Sequence, residues 1–209
     1  MNRTQPLVSS PTEEIVIVVP VASLPELRHG FDREPERILT AIFRAGAARG
    51  MPRSRAEVDP AYKQLVGYVI IRHGAAVFNY QRAKGGGEHR LTGLRSVGLG
   101  GHLNLSDVTD QVDRPSLNRS IQRELQEELV LTESVGLRYV GVLNDDRTDV
   151  SRVHLGVVVE VNLDPTMVTL GDPTLADGRF DPIHDLIARD VEFEDWSKHC
   201  LTWLNDPAG

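Results

Sequence analysis

The sequence predicts a single α/β domain of the mixed (α+β) kind, in which helices cover both faces of a mixed β-sheet. Short β-branched segments typical of strands are interleaved along the chain with segments of helical periodicity. The 209 residues are 40% hydrophobic and 25% charged, which is the balance of a globular domain with one core. Together these observations favour three layers, an α/β/α sandwich.

The N-terminal part of the chain predicts a flexible lead, then a strand and a helix. Residues 1–13 are polar and contain no apolar signal core, so we expect them to be flexible. The β-branched run 14–19 predicts a strand, and apolar residues at helical spacing predict a helix over 36–49. We therefore expect residues 14–209 to form one domain, with residues 14–60 as an N-terminal elaboration.

The remaining elements follow from the same two periodicities. Strands are predicted at residues 63–71, 75–81, 137–143 and 153–163. Helices are predicted at residues 116–129 and 192–203. The step His73-Gly74 predicts a hairpin turn between the first two of these strands. A short apolar run at 96–99 leads into Gly100-Gly101.

Charge and cysteine content argue against several classes of protein. A formal charge of −7 disfavours a protein that coats a nucleic acid polymer, because backbone binding needs clustered Lys and Arg. No segment has the roughly 18 consecutive apolar residues of a membrane helix. The single Cys200 excludes an intramolecular disulfide, so we expect a cytoplasmic location. A small anionic substrate fits this charge if a divalent cation offsets it.

The chemistry is concentrated in residues 123–128, which read Arg-Glu-Leu-Gln-Glu-Glu. On a helix, Glu124, Glu127 and Glu128 project from one face, where like charges destabilise the helix by about a few tenths of a kcal/mol per pair. A cation bound between the carboxylates turns this repulsion into net attraction. Carboxylate oxygens are hard ligands of the kind that Mg²⁺ prefers. Arg123 lies four residues before Glu127 and is expected to brace it. Glutamate-rich faces are also common on plain solvated surfaces, but the nearby glycine pair, where backbone approaches metal or phosphate closely, favours a site.

This segment resembles the Nudix box, whose pattern is G-x5-E-x7-R-E-U-x-E-E-x-G-U with U a bulky aliphatic residue. The matching positions are Gly101, Arg123, Glu124, Leu125, Glu127, Glu128 and Leu131. The stretch from about residue 60 to 205 is similar to a branch of MutT-like phosphoesterases. The resemblance implies a Nudix-type α/β/α sandwich with a mixed sheet.

The sequence departs from the Nudix pattern at two positions and in one spacing. Asp107 stands in the place of the first box glutamate. Fifteen residues instead of seven separate it from Arg123, so the loop carries an eight-residue insertion. Val130 replaces the final box glycine, so the helix has to end without the usual glycine.

The resemblance implies a metal-dependent hydrolase that cleaves a diphosphate linkage of the nucleoside diphosphate-X type. Water attacks a phosphorus, and one or more Mg²⁺ or Mn²⁺ ions stabilise the developing charge. The metal is assigned to Glu124, Glu127, Glu128 and the backbone carbonyl of Gly101. Glu127 or Glu128 is expected to orient or deprotonate the water, with Arg123 in the same catalytic group. The sequence does not choose between the two bases.

Six further residues are candidates for contact with a small diphosphate substrate. The candidates are Arg82, Lys84, Arg90, His102, Asn104 and Asp145. Arg82, Lys84 and Arg90 surround a triple-glycine loop, and arginine binds phosphate oxygens through two parallel hydrogen bonds. His102 and Asn104 follow the box glycine Gly101. Asp145 lies in a loop expected to face the same cleft as the three glutamates. For each of them a purely structural or solvated role is the alternative.

Two other functions stay open. A catalytically silent Nudix-like binding or regulatory module is favoured by Asp107 and the insertion, and opposed by the intact glutamates. An isomerase of the isopentenyl diphosphate isomerase kind needs a cysteine, and only Cys200 is present. Residues 1–60 lie outside the resemblance and are expected either to cap the substrate pocket or to form a homodimer interface. No residue pattern identifies the substrate.

Overall fold

The computed structural model describes residues 13–44, 46–83, 91–130 and 134–206, so the predicted lead at 1–13 lies outside it except for residue 13. The strands are β1 Ile15–Pro20, β2 Gly30–Asp32, β3 Arg49–Pro52, β4 Tyr62–His73, β5 Ala76–Arg82, β6 Arg95–Ser96, β7 Gly98–His102, β8 Arg138–Asn144, β9 His154–Asn162 and β10 Leu175–Pro182. The α-helices are α1 Pro35–Ile42, α2 Arg53–Ala56, α3 Arg114–Glu128, α4 Ile183–Ala188 and α5 Asp195–Asn205. None of these helices is both long and apolar enough to cross a bilayer.

The strands form one mixed sheet around β4. Its main path runs β10-β5-β4-β9-β8-β2. The pair β4 and β9 is parallel, from Gln64 opposite His154 to Arg72 opposite Asn162, and the other strand pairs are antiparallel. Strand β7 also pairs with β4, and β1 pairs with the first residues of β4 and with β3. The N-terminal segment is therefore hydrogen-bonded into the sheet.

Side chains of β4 alternate between two helical layers, as the period of two in a strand requires. Leu65, Val69 and Ile71 pack on the side of α1 and α3. Tyr68 and Ile70 pack on the side of α4 and α5. The predicted three-layer α/β/α arrangement with a mixed sheet is confirmed.

The helix predicted over 36–49 is wrong beyond Ile42. Helix α1 ends there, and Gly46 then takes a φ of +76°, a conformation that glycine adopts without strain. Residues 49–52 form β3 instead, antiparallel to β1 with Ile17 opposite Gly50. Hydrogen bonding to β1 therefore determines the structure of residues 49–52, although helical spacing predicted a helix up to residue 49.

The other predicted elements are present, with ends shifted by three residues or fewer. The hairpin turn is confirmed, since His73 pairs with Ala76 and Gly74 has a φ of +59°. Strand β10 was not predicted because its sequence lacks alternation. Its pairing with β5 shifts register between Ala176 and Arg179, where Asp177 has a φ of +48°.

Candidate functional site

Helix α3 carries the three glutamates and is fixed at its start by a capping box. The Asp113 carboxylate accepts the Ser116 backbone N–H at 2.8 Å, and the Ser116 hydroxyl accepts the Asp113 N–H at 2.8 Å. The buried stripe of Leu117, Ile121 and Leu125 packs the helix on β4 and β7. The helix starts two residues earlier than predicted and takes up part of the insertion.

The end of α3 is closed by a distant segment of backbone. Leu129 leaves the helical conformation, with φ −125° and ψ 150°. The Val130 N–H donates to the Thr169 carbonyl at 2.9 Å, and the Gly171 N–H donates to the Glu128 carbonyl at 2.8 Å. These two hydrogen bonds hold the end of the helix in place of the glycine cap that usually satisfies the last carbonyl groups. Val130 therefore leaves Glu128 in a regular helical position.

Strand β7 brings Gly101 into contact with Glu124. A Cβ atom on Gly101 would lie 1.8 Å from Cδ of Glu124, so any side chain there would displace the carboxylate. Gly101 is opposite Gly67 of β4, and a Cβ on Gly67 would lie 2.7 Å from Cγ1 of Ile121. Both glycines let α3 lie close to the sheet, and this closeness sets the position of Glu124.

Asp107 anchors Arg123 across the insertion. Arg123 donates to both Asp107 oxygens, from Nε at 3.1 Å and from Nη2 at 2.9 Å. Burial favours a raised pKa for Asp107, but hydrogen bonds from Arg123 and from the Asn104 backbone outweigh it and hold that pKa below its ordinary value. Arg123 also donates to Glu124 at 2.6 Å, whereas its contact with Glu127 is 3.5 Å long. The predicted brace therefore acts mainly on Glu124.

The three glutamates differ in exposure and in electrostatic environment. The side chain of Glu127 is 60% exposed and that of Glu124 is 17% exposed. Oε2 of Glu128 is buried and has no hydrogen-bond partner among the described residues. Burial and then the neighbouring Glu124 raise the pKa of Glu128 to about 8, and burial also raises the pKa of Glu124. Buried carboxylate oxygens are normally paired, so an oxygen without a hydrogen-bond partner among the described residues is a candidate ligand for a cation.

Of the three cationic candidates near the glycine loop, the structure describes Arg82. Its positive charge opposes the rise in the pKa of Glu128 that burial causes. Its Nε donates to Oε2 of Glu194 at 3.2 Å. Lys84 and Arg90 lie outside the described residues.

Glu194 was not singled out from the sequence. It is 5% exposed, and its carboxylate accepts hydrogen bonds from the Tyr68 hydroxyl at 3.1 Å and the Ser96 hydroxyl at 2.6 Å. Ser197 completes this buried polar group through the Tyr68 hydroxyl at 3.0 Å. The sequence carries no signal for it, because β4, β6 and α5 meet only in the fold. Glu194 fixes the guanidinium of Arg82 from the side of α5.

His102 and Asn104 both contribute to the frame around Arg123. The His102 carbonyl accepts Nη2 of Arg123 at 3.1 Å, and the Asn104 N–H donates to Asp107 at 2.9 Å. The His102 ring lies with its Nε2 atom 3.1 Å from Nε2 of His154. Burial and then His154 lower the pKa of His102 to about 3, so this ring is neutral at pH 7. Both residues follow Gly101 in the chain, and their contact with substrate stays a prediction.

The structure does not bring Asp145 to the glutamates. Two residues earlier, Leu143 packs on the α5 side of the sheet, and Asp145 follows the same alternation. Its fully buried carboxylate accepts Nη2 of Arg147 at 2.6 Å and lies 3.4 Å from Nε2 of His199 on α5. The expectation that its loop faces the same cleft is therefore corrected.

Cys200 is fully buried on the opposite side of the sheet from α3, and burial raises the pKa of its thiol. The isomerase alternative thereby loses the cysteine it requires, because this thiol does not reach the glutamates.

A cavity of about 540 Å³ lies apart from the glutamates. Its walls include the segment 24–27 together with Lys63, Asp146 and Arg152. No residue of α3 lines it. The geometry and charge of α3, rather than the size of this cavity, identify the candidate site.

Comparison with known proteins gives relatives over most of the chain, although a scan against protein-family models finds no match. Protein YmaB of Bacillus subtilis (strain 168) is 33% identical over 181 residues, which cover 84% of this chain and 87% of YmaB. The crystal structure of Tm1382, described as a candidate Nudix hydrolase, has a TM-score of 0.72 at 26% identity and covers 92% of this chain and 99% of Tm1382. DR0079 from Deinococcus radiodurans has a TM-score of 0.53 at 17% identity over 80% of this chain and 96% of its own, a likeness in fold alone.

Proposed function

This chain belongs to the Nudix hydrolase superfamily, and we propose that it is a metal-dependent hydrolase that cleaves a diphosphate linkage of the nucleoside diphosphate-X type. The observation that carries the proposal is the group of carboxylates on α3, in which Oε2 of Glu128 is buried and has no hydrogen-bond partner among the described residues. A protein released from catalysis has no reason to keep three mutually repelling carboxylates on one helix face.

The residues fit a divalent cation such as Mg²⁺ or Mn²⁺. Glu124, Glu127 and Glu128 offer hard oxygen ligands, and the carbonyl of Gly101 is the candidate fourth ligand. Two observations on the described residues support a bound cation as counter-charge: Oε2 of Glu128 has no hydrogen-bond partner there, and burial raises the pKa values of Glu124 and Glu128. When bound, the ion supplies charge stabilisation at the phosphate and lowers the pKa of a bound water.

The chain's own residues would divide the remaining work. Glu128 is our candidate proton acceptor, because its Oε2 atom is buried and has no hydrogen-bond partner among the described residues, which leaves that oxygen available to a proton. Glu127 is more exposed and is better suited to hold metal. Arg123 acts through Glu124, which it keeps in place from Asp107. Arg82, held by Glu194, would bind phosphate oxygens.

Phosphate or nucleotide release from a panel of diphosphate compounds tests the proposal. The panel comprises sugar nucleotides, dinucleoside polyphosphates, coenzyme A and nucleoside triphosphates, each with and without Mg²⁺ or Mn²⁺. We expect metal-dependent release from at least one compound. No release from any compound, by protein that binds the metal, would refute the hydrolase and favour the silent binding module.

Several features of this proposal stay predictions. The roles of Lys84, Arg90, His102 and Asn104 toward the substrate rest on their position in the sequence. A cytoplasmic location and a homodimer are likewise expectations, as is the absence of a nucleic acid partner, which rests on the charge of −7.

A further inference from the structure

Two histidines and an aspartate lie close together on the opposite face of the sheet from α3. His29 precedes β2, Asp145 follows β8, and His199 is on α5. One ligand atom from each lies within 4.8 Å of the other two. We propose that His29, Asp145 and His199 bind a transition metal ion of the Zn²⁺ class, independently of the glutamates on α3.

The distances are close to those that a tetrahedral site requires. Nε2 of His199 is 3.4 Å from Oδ2 of Asp145, and Nδ1 of His29 is 3.8 Å from Oδ1 of Asp145. Ligand atoms at Zn²⁺ bond lengths of about 2.0–2.1 Å are roughly 3.3 Å apart. Small side-chain rotations therefore bring the three ligands to bonding distance. Two imidazoles and a carboxylate suit Zn²⁺ and similar ions better than Mg²⁺.

Two of the ligands are already held in place. Asp145 is fully buried at the end of β8. The ring of His199 lies against Gly30, where a Cβ atom would be 3.1 Å from Nδ1 of His199 and where φ is +85°.

Arg147 occupies the place of a cation beside Asp145. Its Nε and Nη2 atoms donate to the two carboxylate oxygens at 2.9 Å and 2.6 Å, and Nη2 is 3.4 Å from Nε2 of His199. The side chain of Arg147 is 56% exposed, so it can turn into solvent without leaving a cavity. A metal ion would compete with this guanidinium. If the ion pair between Arg147 and Asp145 served only to hold the loop after β8, neither His29 nor His199 would be needed beside it.

Zn²⁺ titration of the metal-stripped full chain tests the site. Excess Mg²⁺ occupies the glutamates, a chromogenic chelator reports affinity by competition, and the visible spectrum of bound Co²⁺ reports tetrahedral geometry. We expect one tight Zn²⁺ per chain. His29→Ala and His199→Ala should each weaken binding by more than about tenfold, since even loss of an outer-shell partner costs about 10–100-fold. His29 is 53% exposed, so its replacement leaves the fold intact.

Two further variants complete the test. His184→Ala is the matched control, because His184 is 81% exposed on α4 and outside the cluster, and it should bind as the wild type does. Arg147→Ala should tighten binding severalfold by removing the competing guanidinium. Absence of Zn²⁺ binding, unchanged affinity in both His29→Ala and His199→Ala, or weaker binding by Arg147→Ala would each overturn the proposal.

Repeating the titration with Glu127→Gln separates the two metal centres. If Glu127→Gln still binds Zn²⁺ with wild-type affinity, the ion is bound away from α3. If Glu127→Gln loses Zn²⁺ binding while His29→Ala and His199→Ala keep it, the proposed site at Asp145 is contradicted. No step of this test measures hydrolysis, so its failure is distinct from failure of the proposed hydrolase.

Discussion

The half-buried Glu128 and the fully buried Asp145 lie on opposite faces of one sheet, and their surroundings move their pKa values in opposite directions. Burial and the nearby Glu124 raise the pKa of Glu128 to about 8. Hydrogen bonds from Arg147 hold the pKa of Asp145 well below its ordinary value despite burial. Asp107 resembles Asp145, since Arg123 is bound to both of its oxygens. Among the described residues, arginines therefore pair with the carboxylates that hold loops together, whereas Oε2 of Glu128 on α3 has no hydrogen-bond partner, and perturbed carboxyl groups of this kind are typical of functional sites.

The largest expected effect comes from Glu128→Gln, which removes the carboxylate proposed to accept the proton. We expect kcat for metal-dependent diphosphate hydrolysis to fall by about 10²–10⁴, the usual contribution of a general base. Steady-state kinetics on any active substrate measure this. Glu57→Gln, at the exposed residue that directly follows α2, is the matched control and should keep wild-type kcat. A folded Glu128→Gln protein with wild-type kcat would remove Glu128 from the proposed mechanism.

Glu127→Gln tests the exposed member of the same helix face. We expect it to abolish most metal-dependent turnover, by about a hundredfold or more, because a metal ligand is lost. The fold should stay intact, because the side chain is 60% exposed and has one long contact with Arg123. Circular dichroism and activity across a series of Mg²⁺ concentrations measure both. Equal activity in a well-folded variant would contradict the site assignment.

The pH dependence of stability distinguishes Glu128 from Asp145 directly. In the folded, metal-free protein Glu128 keeps its proton to about pH 8, whereas in the unfolded chain it loses it near 4.5. The folded state binds more protons between these values, so the free energy of unfolding falls as pH rises through this window. Glu128→Gln should therefore be more stable than wild type at pH 8, by about 1–3 kcal/mol, and equally stable below pH 4.5.

Urea unfolding in the presence of a chelator at the two pH values measures this difference. Asp145→Asn is the comparison, and it should be less stable than wild type at pH 8 because its ionised form is the one the fold stabilises. Loss of stability in both variants at pH 8 would mean that Glu128 has a partner after all.

The smallest effect is expected from Glu194→Gln, which weakens the hold on Arg82 while keeping hydrogen-bond capacity toward Tyr68 and Ser96. We expect KM for the diphosphate substrate to rise by about tenfold with little change in kcat, because Arg82 would act in substrate binding. Ser197→Ala perturbs the same buried group without touching Arg82 and serves as the control. Equal changes in KM for both variants would assign Glu194 a structural role only.

How much of this could be predicted depends on how local each feature is. The face of Glu124, Glu127 and Glu128 follows from helical spacing alone, and the approach of Gly101 follows from the motif. The position of Asp107 does not, because its pairing with Arg123 depends on how the insertion folds back along α3. Glu194 carries no local signal, since its partners come from other strands.

Two errors have the same origin. The helix predicted over 36–49 followed side-chain periodicity, but pairing with β1 placed residues 49–52 in a strand. The loop of Asp145 was expected beside the glutamates, yet the alternation along β8 directs its side chain toward α5. In both cases hydrogen bonding or orientation within the sheet outweighed what the local sequence indicates.

The backbone closure at the end of α3 also has a dynamic consequence. The Glu128 carbonyl is capped by Gly171, and Val130 is held by Thr169, so the last turn of the helix depends on a segment much later in the chain. Local opening of a helix end costs only the contacts that close it. Release of residues 169–171 would therefore free the backbone of Glu128 at the same time. The two segments form one cooperative opening unit, whose amides are expected to exchange with solvent at a common rate.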